Sequence, residues 1–169
     1  IDEDIARAEL VRSIKPQAKI NVPKILIDRR DSKIIISTKM KNNLLFNSLN
    51  YDVDLMIYLP NKYIQDIRVK SASADLDIRD MRIRKLYVDA SSGDIDVDRC
   101  ITEELDIEIT SGDMTINDLI GNARLEATSG EIDVSIKEVG DIDIEATSGD
   151  IDVVVLKQAE FNIEAKVSS

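Results

Sequence analysis

The side chains able to do chemistry in this chain are carboxylates, and they recur at a fixed interval. Four residues before each of Gly93, Gly112, Gly130 and Gly149 stand Asp89, Glu108, Glu126 and Glu145, with Lys70 ahead of them and Glu164 after. Just beyond each corner comes a second column, Asp75, Asp94, Asp113, Glu131 and Asp150, and two residues further on a third, Asp77, Asp96, Thr115, Asp133 and Asp152. Hard divalent cations take clustered carboxylate oxygens, and two carboxylates flanking a sugar bond can hydrolyse it. A divalent-cation-binding β-roll and a carbohydrate-active β-helix enzyme are therefore the two chemistries that the pattern admits. Both fit it incompletely. Calcium-loaded rolls repeat Gly-Gly-x-Gly-x-Asp in paired turns, whereas each corner here offers a single Ser-Gly-Asp or Ser-Gly-Glu. Glycan-cleaving helices wall their clefts with long loops, and these repeats differ in length by one residue at most. The plainest reading of such a ladder is a solvated face that resists edge-to-edge aggregation.

What is missing narrows the chemistry further. The chain has no histidine, which removes Ser-His-Asp and Cys-His catalysis and most catalytic zinc sites. Cys100 is alone, so there is no internal disulfide and no multi-cysteine metal centre; it reads as a small apolar residue in a turn of the coil. No catalytic residue, metal ligand or cofactor is expected. Arg79, Arg82, Arg84 and Lys85 make a basic stretch beside the acidic repeats, suited to neutralising them or to touching an anionic wall polymer or lipid headgroups. Residues 1–85 carry 17 Lys and Arg against 12 Asp and Glu, a net of +5, and residues 86–169 carry 5 against 21, a net of −16. That acidic half would repel nucleic acid.

The elements that position these residues follow from the repeat itself. Ser91-Ser92-Gly93-Asp94-Ile95-Asp96-Val97 returns around Gly112, Gly130 and Gly149, at spacings of 19, 18 and 19, and a degenerate copy, Ser73-Ala74-Asp75-Leu76-Asp77-Ile78, precedes it. A fixed period of this size marks a solenoid, in which each unit buries its apolar side against its neighbours. Before the corner, apolar residues alternate at Leu86/Val88/Ala90, Leu105/Ile107/Ile109, Ala123/Leu125/Ala127 and Ile142/Ile144/Ala146. After it they alternate at Leu76/Ile78, Ile95/Val97, Met114/Ile116, Ile132/Val134 and Ile151/Val153. Period-two alternation on both sides of the corner predicts two short strands per turn, each with one face inward. The apolar burial of one turn falls short of the entropy of ordering its residues, so the turns must stack. The four corner glycines supply positive φ or close packing of successive turns, and Gly121 and Gly140 mark the opposite corner. Phe161, Ile163 and Ala165 begin a further, imperfect turn.

The first third is less regular. Residues 1–14 fit an amphipathic helix loosely and a strand-like lead-in about as well, with Pro16 as the stop. Ile20 to Ile27 reads as a strand interrupted by Pro23, residues 28–32 as a polar turn, and Lys33 to Thr38 as a clear strand. Residues 41–43 and 47–50 read as loops, and Tyr51 to Leu59 as another alternating strand ahead of a turn at Pro60-Asn61. We expect these strands to be broadened first turns of the same coil. The whole, 1–169, is then one all-β domain with an N-terminal cap over 1–50 and a regular array over 51–169. No run approaches the ~20 apolar residues that a membrane span needs. The chain opens on Ile1 rather than Met, so we expect a trimmed or mature form, with any signal or anchor upstream.

The repeated Thr/Ser-Ser-Gly-Asp/Glu-Ile-Asp-Val resembles a bacterial adhesin-like β-strand-repeat family, a domain of unknown function. The resemblance covers 51–169 well and 1–50 weakly. It implies a right-handed parallel β-solenoid of about 19 residues per turn, displayed beyond a membrane anchor, some members serving envelope-stress responses. The expected function is a non-enzymatic structural or interaction module of the cell envelope, extracellular or at the cell surface. Its partner would be an envelope protein or surface polymer, and its contact with membrane only through an anchor outside this chain. The basic and acidic halves also favour head-to-tail self-association.

Overall fold

The computed structural model describes residues 7–13, 24–30, 33–39, 52–59, 66–155 and 162–168. The chain divides into two compact units, Ile1–Leu59 and Pro60–Ser169, and every element among the described residues is a β-strand.

In the first unit, β1 (Arg7–Ser13) runs antiparallel to β4 (Asp52–Tyr58), from Arg7 opposite Tyr58 to Ser13 opposite Asp52. β2 (Lys24–Arg30) and β3 (Lys33–Lys39) pair antiparallel, from Lys24 opposite Lys39 to Arg30 opposite Lys33. Two expectations change here. The loose helical pattern of 1–14 gives way to a strand over Arg7–Ser13, because a short isolated helix is marginal and β4 supplies cross-strand hydrogen bonds. The strands read as broadened turns of the coil are antiparallel pairs. Arg30 pairs with Lys33 only three positions on, which a hairpin allows, whereas parallel partners in the coil lie about 19 positions apart along the chain. The strand also extends to Arg30, into the expected polar turn. The stop at Pro16, the loops at 41–43 and 47–50 and the turn at Pro60-Asn61 lie outside the described residues.

The second unit is the solenoid. β5 (Asp66–Ser71), β6 (Leu76–Ser92), β7 (Ile95–Ser111), β8 (Met114–Ser129), β9 (Ile132–Ser148) and β10 (Ile151–Val155) pair parallel in chain order, and β11 (Asn162–Val167) pairs parallel with β9. The register is the repeat made physical: Ile95 pairs with Leu76 and Met114, and Ile132 with Met114 and Ile151. All-β architecture, parallel stacking and a step of about 19 residues stand as expected from the sequence.

Each full turn is one bent strand of 16 or 17 residues rather than two short ones. In β7 the buried positions run 95, 97, then 100, 102, then 105, 107, 109. The alternation slips phase twice, at Arg99 and before Leu105, so three walls enclose the core. The first slip sits at Asp80, Arg99 and Asp118, all with φ near +54°. The second lies where the 18-residue repeat loses its residue. Register holds at 19 through Ile101 opposite Ile120 and drops to 18 at Glu104 opposite Asn122. Gly121 takes that tight crossing at φ +136°, its α-carbon pressed on the Thr102 carbonyl.

The core is a set of aliphatic columns. The expected columns are buried through the middle of the coil, from Leu86, Leu105 and Ala123 to Ile142 on one wall and from Ile95 and Met114 to Ile132 on another, while Leu76, Ile78, Ile151 and Val153 toward its ends are half-buried. The third wall is Met81, Cys100, Leu119, Ile136 and Val155, which the register lines up. Cys100 is fully buried in it, and burial pushes its thiol up to about 11. Thr102 is the one buried polar side chain among the described residues; its hydroxyl accepts the Glu104 N–H at 3.2 Å and lies 3.0 Å from the Arg84 carbonyl.

Candidate functional site

Because side chains alternate along a strand, every residue between two core positions is thrown outward, and in-register stacking turns single residues into columns. On the wall made by β5 to β9 and β11, the register sets Lys70, Asp89, Glu108, Glu126, Glu145 and Lys166 in one line. All four candidate carboxylates are thus brought together, one per turn, at the ~4.8 Å interstrand spacing. A cation closes each end of the line. Lys70 Nζ lies 2.5 Å from Asp89 Oδ2, and Lys166 stands opposite Glu145. Within the line Arg124 pairs with Glu126, whereas Glu108 has no ion pair among the described residues.

The far end differs from the sequence expectation. Glu164 was expected to follow Glu145, but the register places Glu164 beside Asp143 and Lys166 beside Glu145. From Glu145 to Lys166 the chain advances 21 residues, two more than the 19 of most turns. Lys166 Nζ is 2.6 Å from Glu164 Oε1, and that hydrogen bond holds the Glu164 carboxyl below its usual range. The same bond raises the Lys166 ammonium, with smaller help from Glu145 and Asp143.

The basic residues are distributed differently. Arg79 Nε is 2.5 Å from Asp77, Arg84 is 2.5 Å from Asp66, and Lys85 pairs with Glu104. The Glu104 bond, with Tyr87 second, holds the Lys85 ammonium above its ordinary value. Arg82 is exposed in a separate column with Ile101 and Ile120. These four cations therefore sit on different columns, three of them in ion pairs within the solenoid.

The column just past the glycine corner serves the backbone. Asp75 Oδ1 accepts the Asp94 N–H at 3.0 Å, Asp94 Oδ1 that of Asp113 at 3.1 Å, and Asp113 Oδ1 that of Glu131 at 2.8 Å. Each aspartate staples its own turn to the next. Asn122 does the same at the other corner, accepting the Asp141 N–H at 2.9 Å. Among the described residues no three His, Cys, Asp or Glu side chains converge as a metal site would require. A recess of about 520 Å³ opens over β7, β8, β9 and β11, with Glu104, Asn122, Arg124, Asp141 and Asp143 on its rim.

One column escaped the sequence reading. Asp80, Arg99, Asp118 and Lys137 follow one another at intervals of 19 at the first bend, with alternating sign. Arg99 grips Asp80 with two nitrogens, at 2.5 and 2.9 Å, and Lys137 Nζ is 2.9 Å from Asp118. The guanidinium draws the Asp80 carboxyl below its ordinary range, and Asp80 raises Arg99 in turn. The 19-residue spacing was the available signal; the alternation of sign hid it from a search for like residues.

A filled aliphatic core, parallel turns in register and outward columns of charge define a structural repeat protein, a β-solenoid. More specifically, the chain belongs to the Toastrack DUF4097 family, whose model matches residues 7–100 and again 71–169. The two matches overlap within the repeat array, where neighbouring turns carry the same pattern. No curated protein and no solved structure matches the chain.

Proposed function

We propose that this chain is a non-enzymatic structural and interaction module of the bacterial cell envelope, displayed at the cell surface in an adhesin-like manner. The observation that carries the reading is the line Asp89–Glu108–Glu126–Glu145, one carboxylate per turn on a rigid wall. Stacking fixes the spacing of these charges in advance, so a partner with cations at a similar interval binds without ordering them itself. An envelope protein or a cationic surface polymer meets that requirement. The second column works on the backbone and the core is filled by aliphatic side chains, which favours display over chemistry.

The test compares the full chain with a Glu108→Gln, Glu126→Gln, Glu145→Gln triple variant for capture of envelope components. Capture by the parent that weakens with salt and disappears in the variant supports the proposal. Equal capture by both overturns it. A large rise in melting temperature with millimolar calcium, or glycan turnover abolished by replacing one carboxylate, would move the protein to a cation-binding or enzymatic class.

A further inference from the structure

β11 pairs with β9 along one edge and, among the described residues, with no strand along the other. All six of its residues are exposed, including Ile163 at 37% and Val167 at 53%. The direction of its free backbone groups follows from one hydrogen bond. Ser168 donates its N–H to the Ala146 carbonyl at 3.1 Å, toward β9. Alternate residues of a parallel ladder face the same neighbour. Asn162, Glu164 and Lys166 therefore bond toward β9, and Ile163, Ala165 and Val167 turn their N–H and C=O groups to the open edge.

The sequence of that edge, Ile163-Glu164-Ala165-Lys166-Val167, reads apolar, acid, apolar, base, apolar from either end. We propose that two copies of this chain join tail to tail, β11 against β11 antiparallel, about a two-fold axis through the Ala165 pair. In that register Ile163 faces Val167 of the second copy on the core side, and Glu164 faces Lys166 of the second copy on the outer side. Three opposed pairs, 163 with 167, 165 with 165 and 167 with 163, exchange N–H and C=O groups. They are the residues whose backbone points outward. Shifting the centre by one residue sets Glu164 against Glu164 or Lys166 against Lys166, which like-charge repulsion disfavours. A head-to-tail continuation of the coil is poorer: it sets Glu164 beside Arg68 but Lys166 beside Lys70, and it generates an open filament rather than a closed pair.

Sedimentation of the full chain from about 1 to about 500 μM tests this, since association driven by mass action shifts with concentration. The parent populates a dimer. Ala165→Pro removes an N–H that β9 does not use and leaves a monomer, with the circular-dichroism melt showing that the solenoid is intact. Lys166→Glu weakens the dimer about tenfold or more, and adding Glu164→Lys restores it. Equimolar Lys166→Glu and Glu164→Lys chains, each poor alone, pair with one another. A parent that remains monomeric throughout, leaving the edge to a strand of another protein, overturns the proposal. So does a dimer indifferent to Ala165→Pro or to the charge reversals.

Discussion

The α-carbon of Gly112 lies so close against Gly93 that a side-chain carbon on it would overlap the Gly93 carbonyl oxygen. Gly130 stands in the same relation to Gly112, and Gly149 to Gly130, with φ between +131° and +136° at all three. The obstruction is backbone, so it cannot swing aside. Gly112→Ala and Gly130→Ala should each cost more than about 3 kcal/mol, since left-handed strain of roughly 1–2 kcal/mol adds to the clash. Urea denaturation measures this. Ala74→Gly is the control. Ala74 begins the column and has no positive φ, so the change should cost no more than about 1 kcal/mol, through the unfolded chain.

Asp113 offers a finer test of the corner. Its Oδ1 accepts the Glu131 N–H at 2.8 Å, and the acceptor rather than the charge makes the bond. Asp113→Ala should lose about 1 kcal/mol, the usual net worth of such a bond. Asp113→Asn keeps a carbonyl oxygen in place and should lose less. Equal losses in the two variants would mean that the charge matters and the staple does not.

The regular walls and the glycine corners were legible in the sequence, and the bend at Arg99 and Asp118 was not. Ile107 and Leu125 announce themselves because two periods coincide there, two along the strand and about 19 between turns. Cys100 and Leu119 belong to a third wall that opens only after the phase slip at Arg99 and Asp118, where a positive φ turns the next side chain inward. Alternation read across that slip goes out of step. Lys166 was displaced by the opposite assumption, a constant step of 19, in a turn that takes 21 residues. The antiparallel pairs of Arg7–Tyr58 and Lys24–Lys39 differ for a third reason: alternation shows that a strand has two faces and says nothing of which neighbour it joins.

The Asp80–Arg99 pair should leave a mark at acid pH. Its carboxyl titrates below the ordinary 3.8, so between the folded and unfolded values the unfolded chain binds more protons. The contribution is therefore present above about pH 4 and is lost as pH falls through the lowered folded value. Asp80→Asn should flatten that part of the stability profile relative to the parent, and because the pair is exposed the difference should shrink at high salt. Melting temperatures between about pH 2 and 5 at two ionic strengths check both halves of the claim.

Cys100 should act at the other end of the pH scale. Burial pushes its thiol from 9.0 up to about 11, so the folded protein keeps a proton that the unfolded chain releases. With the folded value the higher of the two, the neutral thiol's contribution is complete below about pH 9 and is lost as pH rises through about 11. Lysines and tyrosines also titrate in this range, so the informative quantity is the difference between the parent and Cys100→Ala. At neutral pH the variant should be the less stable by about 1 kcal/mol, for the volume it leaves in the wall of Met81, Leu119 and Ile136. From pH 9 to 11 only the parent loses the thiol's contribution, so the two stability curves should converge and can cross. Parallel curves would mean that the thiol reaches water in the folded state. Rapid alkylation of Cys100 in the native protein at pH 8 would point the same way, since the inner wall of an intact solenoid admits reagent only when the turns part.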